Sequence, residues 1–189
     1  MRRAESVRTH ILKLDQATWG LPDARRAAAQ VLVHPELVKA LMRALSGRDP
    51  VLRHHAADTA RRVTERRPEL LTSYAERLLG LFSEIGPREA GENWRTRAHL
   101  GLVIARVAQS RAQCLRAAGL LMPLYYDSSN VVRCTAVEGL GVLAWREPSL
   151  RAEVQPLIEE ALATGTIAMQ CRARDALRRW SLGNTRTAR

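Results

Sequence analysis

The sequence predicts an all-α chain, an α-solenoid of about five antiparallel helix pairs. Three observations predict it. A short motif recurs five times when the chain is aligned on itself. Segments between Gly and Pro breakers show helical spacing of apolar residues and no sustained alternation. The apolar content, 46% with only 4% aromatic, is built from Leu, Ala, Val and Ile, which suit close helix packing.

The motif is a basic or polar residue, Ala three positions on, and an apolar residue four further. It reads Arg25-x-x-Ala28-x-x-x-Leu32, Arg53-x-x-Ala56-x-x-x-Ala60, Arg95-x-x-Ala98-x-x-x-Leu102 and Arg133-x-x-Ala136-x-x-x-Leu140. The last copy begins with Gln170 and continues to Ala173 and Leu177. Positions i, i+3 and i+7 share one helix face, so Ala and Leu form a packing stripe. The starts are 28, 42, 38 and 37 residues apart. The last three intervals suit a two-helix repeat of roughly 40 residues, and the first suits a trimmed terminal one.

An amphipathic segment precedes each recurring helix. The expected pairs are 4–17 with 22–33, 35–46 with 50–66, 68–84 with 92–109, 111–126 with 130–145, and 149–164 with 168–181. Asp49-Pro50 and Arg67-Pro68 put proline at or near a first helical turn, where its missing N–H is no loss. Gly47, Gly86, Gly91 and Gly165 fall where helices are expected to end. The longest interruption is 85–91. One domain is expected over 1–182, followed by a frayed basic tail over 183–189.

Asp49-Pro50-Val51-Leu52-Arg53 and the run Asp127 to Arg133 resemble the turn and second-helix start of HEAT repeats, an armadillo-like superhelical family. Trp94–Leu100 and Glu159–Thr166 resemble stretches of small bacterial HEAT-like proteins. The resemblance covers nearly the whole chain. It implies a ladder in which a turn Asp meets an Arg a few residues on, with Arg25, Arg53, Arg95, Asp127 and Arg133 as its members. Trp19 and Thr164 stand where the first and last repeats would carry that Asp.

Such an array exposes a curved inner face made by the second helix of each pair. Its expected lining is Arg26, Ala27 and Gln30; His54, His55, Asp58, Arg61 and Arg62; Thr96, Arg97, Leu100, Val103 and Ile104; Cys134, Thr135, Glu138, Gly141 and Val142; and Cys171, Arg172, Asp175, Arg178 and Arg179. The formal net charge of +11 points to acidic partners. Lysine occurs only at Lys13 and Lys39, so the arginines read equally as genome base composition. An acidic row, Asp58, Glu138 and Asp175, divides the basic face, with Asp58–Arg62 and Asp175–Arg179 spaced as intrahelical pairs.

The function expected is non-catalytic: a scaffold for another protein, in the cytoplasm, without cofactor, metal or membrane insertion. Nucleic-acid binding through Arg26, Arg61, Arg62, Arg97, Arg172, Arg178 and Arg179 is the alternative. Repair of alkylated bases, which some HEAT-like glycosylases perform, is the third reading. It wants aromatic side chains beside a carboxylate, and Trp94, Trp145 and Trp180 fall at helix ends. Adjacent His54 and His55 point apart and cannot chelate as an i, i+4 pair would. Cys114, Cys134 and Cys171, an odd and widely spaced set, are expected reduced and buried. The run of about 20 apolar residues that crosses a bilayer is absent.

Overall fold

The structure is a computed structural model and describes residues 12–15, 17–85 and 94–184. Among these residues the fold is all-helical, with nine α-helices and no strand. They are α1 (Leu21–Val33), α2 (Val38–Leu45), α3 (Pro50–Arg66), α4 (Ala75–Ile85), α5 (Trp94–Val107), α6 (Arg111–Leu121), α7 (Asn130–Arg146), α8 (Arg151–Thr164) and α9 (Ile167–Asn184). Of the expected first helix over 4–17, only 12–15 and 17 are described; they form a turn that buries Leu12 and Leu14. The 86–91 link and the tail beyond 184 lie outside the described residues. Helix α9 runs to Asn184, past the expected end at 181.

Local chemistry explains the helix starts. The Asp49 carboxylate accepts the Val51 and Leu52 N–H groups at the head of α3, with Pro50 in the first helical position. Ser110 and Gln113 form a reciprocal capping box at α6. Three of the outer helices are introduced by short 3₁₀ turns, Pro35–Leu37, Pro68–Leu70 and Pro148–Leu150. Each begins Pro-x-Leu. The proline ends the preceding helix and starts a tight turn. Arg67-Pro68 therefore opens a 3₁₀ turn, and α4 itself begins seven residues later.

Helices α1, α3, α5, α7 and α9 form a row, each packed on the next. Helices α2, α4, α6 and α8 cover one side of it, packing on α3, α5, α7 and α9 among others. The row helices run in the same direction. Arg97 near the start of α5 reaches Asp127 just before α7, while Arg146 at the end of α7 reaches carbonyls at the end of α5. The recurring alanines explain the spacing: Ala28, Ala56, Ala98, Ala136 and Ala173 are all buried in the seams. Two seams are closer still. A Cβ on Gly141 of α7 would stand 2.6 Å from the Ala176 Cβ of α9, and one on Gly139 would stand 2.7 Å from Leu121 Cδ1 of α6.

The far ends of the row helices are tied by arginine. Arg106 donates to the Arg61 carbonyl of α3 at 3.0 Å. Arg146 donates to the carbonyls of Ala105, Arg106 and Ala108. The three carbonyls that Arg146 meets lie at the end of α5, where intrahelical donors run out and the helix dipole is negative, so its guanidinium satisfies both needs.

The ladder implied by the family resemblance forms differently. Asp127 accepts Arg97 from the preceding row helix at 3.0 Å, and its other oxygen accepts the Ser129 N–H. Arg133 instead reaches Asn130 on its own helix. Arg53 donates twice to the Gly47 carbonyl within its own turn. Arg95 lies 5.0 Å from the centre of the Trp94 ring. Arg25 faces the groove between α1 and α3. Among the described residues, no helix is long and apolar enough to cross a membrane.

Candidate partner-binding face

The open side of the row carries the residues expected on an inner face, at unequal depth. In α5, Leu100, Val103 and Ile104 are fully buried and form core. Arg97 is buried as well, its side chain only 3% exposed and paired to Asp127. That corrects its place among the partner-contacting arginines: it holds α5 to α7 and presents no surface. Thr96 and His55 are also buried. The sequence missed this because the α5 seam is flanked by helices on both sides, whereas the periodicity of one helix reports direction and not depth.

Asp58 of α3 is the most enclosed carboxylate of the face. Oδ1 lies 3.4 Å from Arg61 Nη2, 3.2 Å from Arg62 Nε and 3.9 Å from His99 Nε2 of α5. Oδ2 accepts the Trp19 indole N–H at 3.3 Å. Trp19 stacks on His55 with ring centres 4.3 Å apart, and His55 Nδ1 is 2.7 Å from the Leu14 carbonyl. The segment before α1 thus closes over Asp58. His54 and His55, expected to point apart, keep their rings 5.6 Å from each other: His55 stacks inward on Trp19, and His54 stacks on His99 at 5.4 Å. Burial pushes the His99 pKa down to about 4, against the pull of Asp58, and the nearby arginines lower it further. Burial, then the neighbouring His55, also lowers His54. His99 is therefore neutral near pH 7.

Glu138 of α7 sits more openly. One oxygen accepts Arg106 of α5 at 2.8 Å, and the other lies 3.3 Å from Arg172 of α9. Arg172 is half exposed, and the exposed Asp175 and Arg178 pair at 3.1 Å. The expected Asp175–Arg179 spacing is thus filled by Arg178. Arg179 lines the shallow hollow shared by Glu138, Gly141, Val142, Arg172 and Asp175. At the opposite end, Arg25, Arg62, Glu65 and Arg66 line a wider groove of about 400 Å³ between α1 and α3. Arg26 pairs with Asp23 on its own helix.

Between the two carboxylates lies a cavity of about 260 Å³ lined by Arg61, Ala98, His99, Leu102, Val131, Cys134, Thr135, Glu138 and Arg172. Of the three cysteines, which carry free thiols, Cys114 is buried, Cys134 half-buried and Cys171 exposed, so burial holds for only the first. Among the described residues, no group of three His, Cys, Asp or Glu side chains is placed to hold a metal ion.

Sequence reasoning did not single out Arg106 or Arg146, and it named Trp19 only as standing where the ladder's first Asp would be. Arg106 and Arg146 were legible as basic residues in the last turns of two recurring helices. Trp19 precedes its helix, and no periodicity connects it to a carboxylate 39 residues on. Trp145 and Trp180 do lie toward helix ends; Trp180 is buried and donates to the Gly141 carbonyl. The Trp19 ring is covered on one face by His55 and its N–H is engaged by Asp58. Comparison with known proteins gave no matching family model and no similar curated protein.

Proposed function

We propose that the chain is a HEAT-like α-solenoid that acts as a non-catalytic binding protein, holding an acidic segment of a partner protein along the open side of its row helices. One observation carries the reading. The carboxylates of this face are engaged by guanidinium groups of the fold itself, Asp58 by Arg61 and Arg62 and Glu138 by Arg106 and Arg172. Further arginines stand at both ends: Arg25 and Arg66 beside α1 and α3, and Arg178 and Arg179 on α9. A partner therefore meets a surface with more positive than negative charge and donors already arranged on rigid helices, which favours carboxylates and speeds encounter.

The net charge of +11 favours nucleic acid as a second reading. Against it, carboxylates interrupt the basic face at Glu138 on α7 and Asp175 on α9, so separate arginines suit a short acidic segment better than a continuous phosphate backbone. Base repair has less support, since Trp19 is committed to His55 and Asp58 within the fold.

Fluorescence anisotropy at low salt separates the two main readings. A labelled glutamate-rich peptide is expected to bind, and Arg172→Ala with Arg178→Ala to weaken it several-fold without lowering the melting temperature. Tighter binding of a DNA duplex, with log affinity falling against log salt at about −0.9 per phosphate contacted, would replace this reading with the nucleic-acid one.

A further inference from the structure

The cavity between Asp58 and Glu138 has a particular composition. Its floor is apolar, made by the buried Ala98 and Leu102 of α5, with Cys134 and Thr135 of α7 beside them and Val131 at its mouth. Its walls are cationic: Arg61 of α3 on one side and Arg172 of α9 on the other. His99 contributes a neutral ring, because burial keeps it unprotonated near pH 7. The negative group at the rim, Glu138, is held between Arg106 and Arg172. Arg61 is shared between Asp58 and Glu65, and its buried Nε has no hydrogen-bond partner among the described residues. Val131 stays 51% exposed although it is a β-branched aliphatic at the mouth of a hollow. At about 260 Å³ the cavity falls below the roughly 300 Å³ at which sites for whole drug-sized ligands begin. It is the size of a single inserted group.

We propose that this cavity is the anchor subsite of the face: it takes one apolar side chain of the partner, flanked in the partner by carboxylates that reach Arg61 and Arg172. This rests on the acidic-partner reading and adds a specificity that charge alone does not supply. An apolar anchor surrounded by polar contacts is the arrangement that concentrates binding energy in protein interfaces. Charge at the walls selects the residues beside the anchor, and the floor selects the anchor itself.

Two peptide probes test it: a short all-glutamate peptide, and the same peptide with one central phenylalanine. The phenylalanine peptide is expected to bind roughly tenfold more tightly, as burying one large apolar side chain allows. It should also slow iodoacetamide labelling of Cys134, read by peptide mass mapping, more than that of Cys171, which lies outside the cavity lining. Val131→Ser, at an exposed position, should keep the melting temperature and lose most of the tenfold preference. Equal binding of both peptides with Cys134 unprotected overturns the anchor subsite and leaves the acidic-partner reading standing. Binding of neither peptide overturns both.

Discussion

Asp58 and Glu138 occupy the same place in the repeat, five residues after Arg53 and Arg133, yet they end in opposite environments. Asp58 is closed in from three directions: its own helix supplies Arg61 and Arg62, the next supplies His99, and the segment before α1 supplies Trp19. Glu138 bridges one arginine from each neighbouring helix and stays accessible beside the half-exposed Arg172. The equivalent residue of α5 is Leu100, which is fully buried core. Position in the repeat therefore fixes which way a side chain points. What covers it decides whether a charge becomes part of the fold or remains available to a partner.

The largest effects should come from breaking the enclosed half. Asp58→Ala leaves two guanidinium groups and an indole N–H around a missing acceptor, and is expected to cost about 3 kcal/mol in urea unfolding. Arg97→Met, which strands the buried Asp127, should cost a similar amount, about 3 kcal/mol, while leaving affinity for a glutamate-rich peptide unchanged. Glu138→Ala should cost about 1 kcal/mol or less, since its arginines can turn to water. Equal losses at Asp58 and Glu138 would erase the distinction between the two halves.

Close packing offers a second contrast of intermediate size. Gly141→Ala places a methyl group against the Ala176 Cβ, and neither group can rotate away, so α9 must shift. The expected loss is about 2 kcal/mol, overpacking exceeding the gain in helix propensity. Gly119, on the exposed side of α6, has nothing among the described residues within 4 Å of its would-be Cβ. There the same substitution should stabilise by about 0.5 kcal/mol. Thermal melts of the two variants should move in opposite directions.

The row helices were legible because Ala and Leu recur at helical spacing and each row helix must bury one stripe; the observed α3 matches its expected range and α7 differs by one residue. The outer helices were read less well at their starts. Pro-x-Leu turns occupy residues that amphipathicity assigned to α2, α4 and α8, and the signal was present as a motif recurring at Pro35, Pro68 and Pro148. The candidate face was legible in direction: Arg61, Arg62, Arg172 and Arg179 line its hollows. Depth was not. Arg97 and Arg172 stand at the second position after the repeat's first residue, and only the helices packed around α5 make the former internal. Long-range pairs such as Trp19 with Asp58 leave no periodic trace, because they depend on how the segment before α1 closes.

The enclosed half should also carry a pH dependence, since all five histidines precede residue 100. In the unfolded chain His99 takes up a proton near its ordinary 6.5, whereas in the fold burial delays uptake to about 4. Between those values the unfolded state binds more protons, so stability must fall as pH drops from about 6.5 and level off near 4. His54, lowered by burial as well, acts with the same sign. His99→Gln removes the titration and keeps a polar group beside Asp58. Relative to that variant, the native chain should lose about 2 kcal/mol more between pH 7 and 5, with the difference in slope vanishing above about pH 7.5. Parallel curves would mean that His99 is protonated inside the fold, and that water reaches the Asp58 seam as freely as it reaches Glu138.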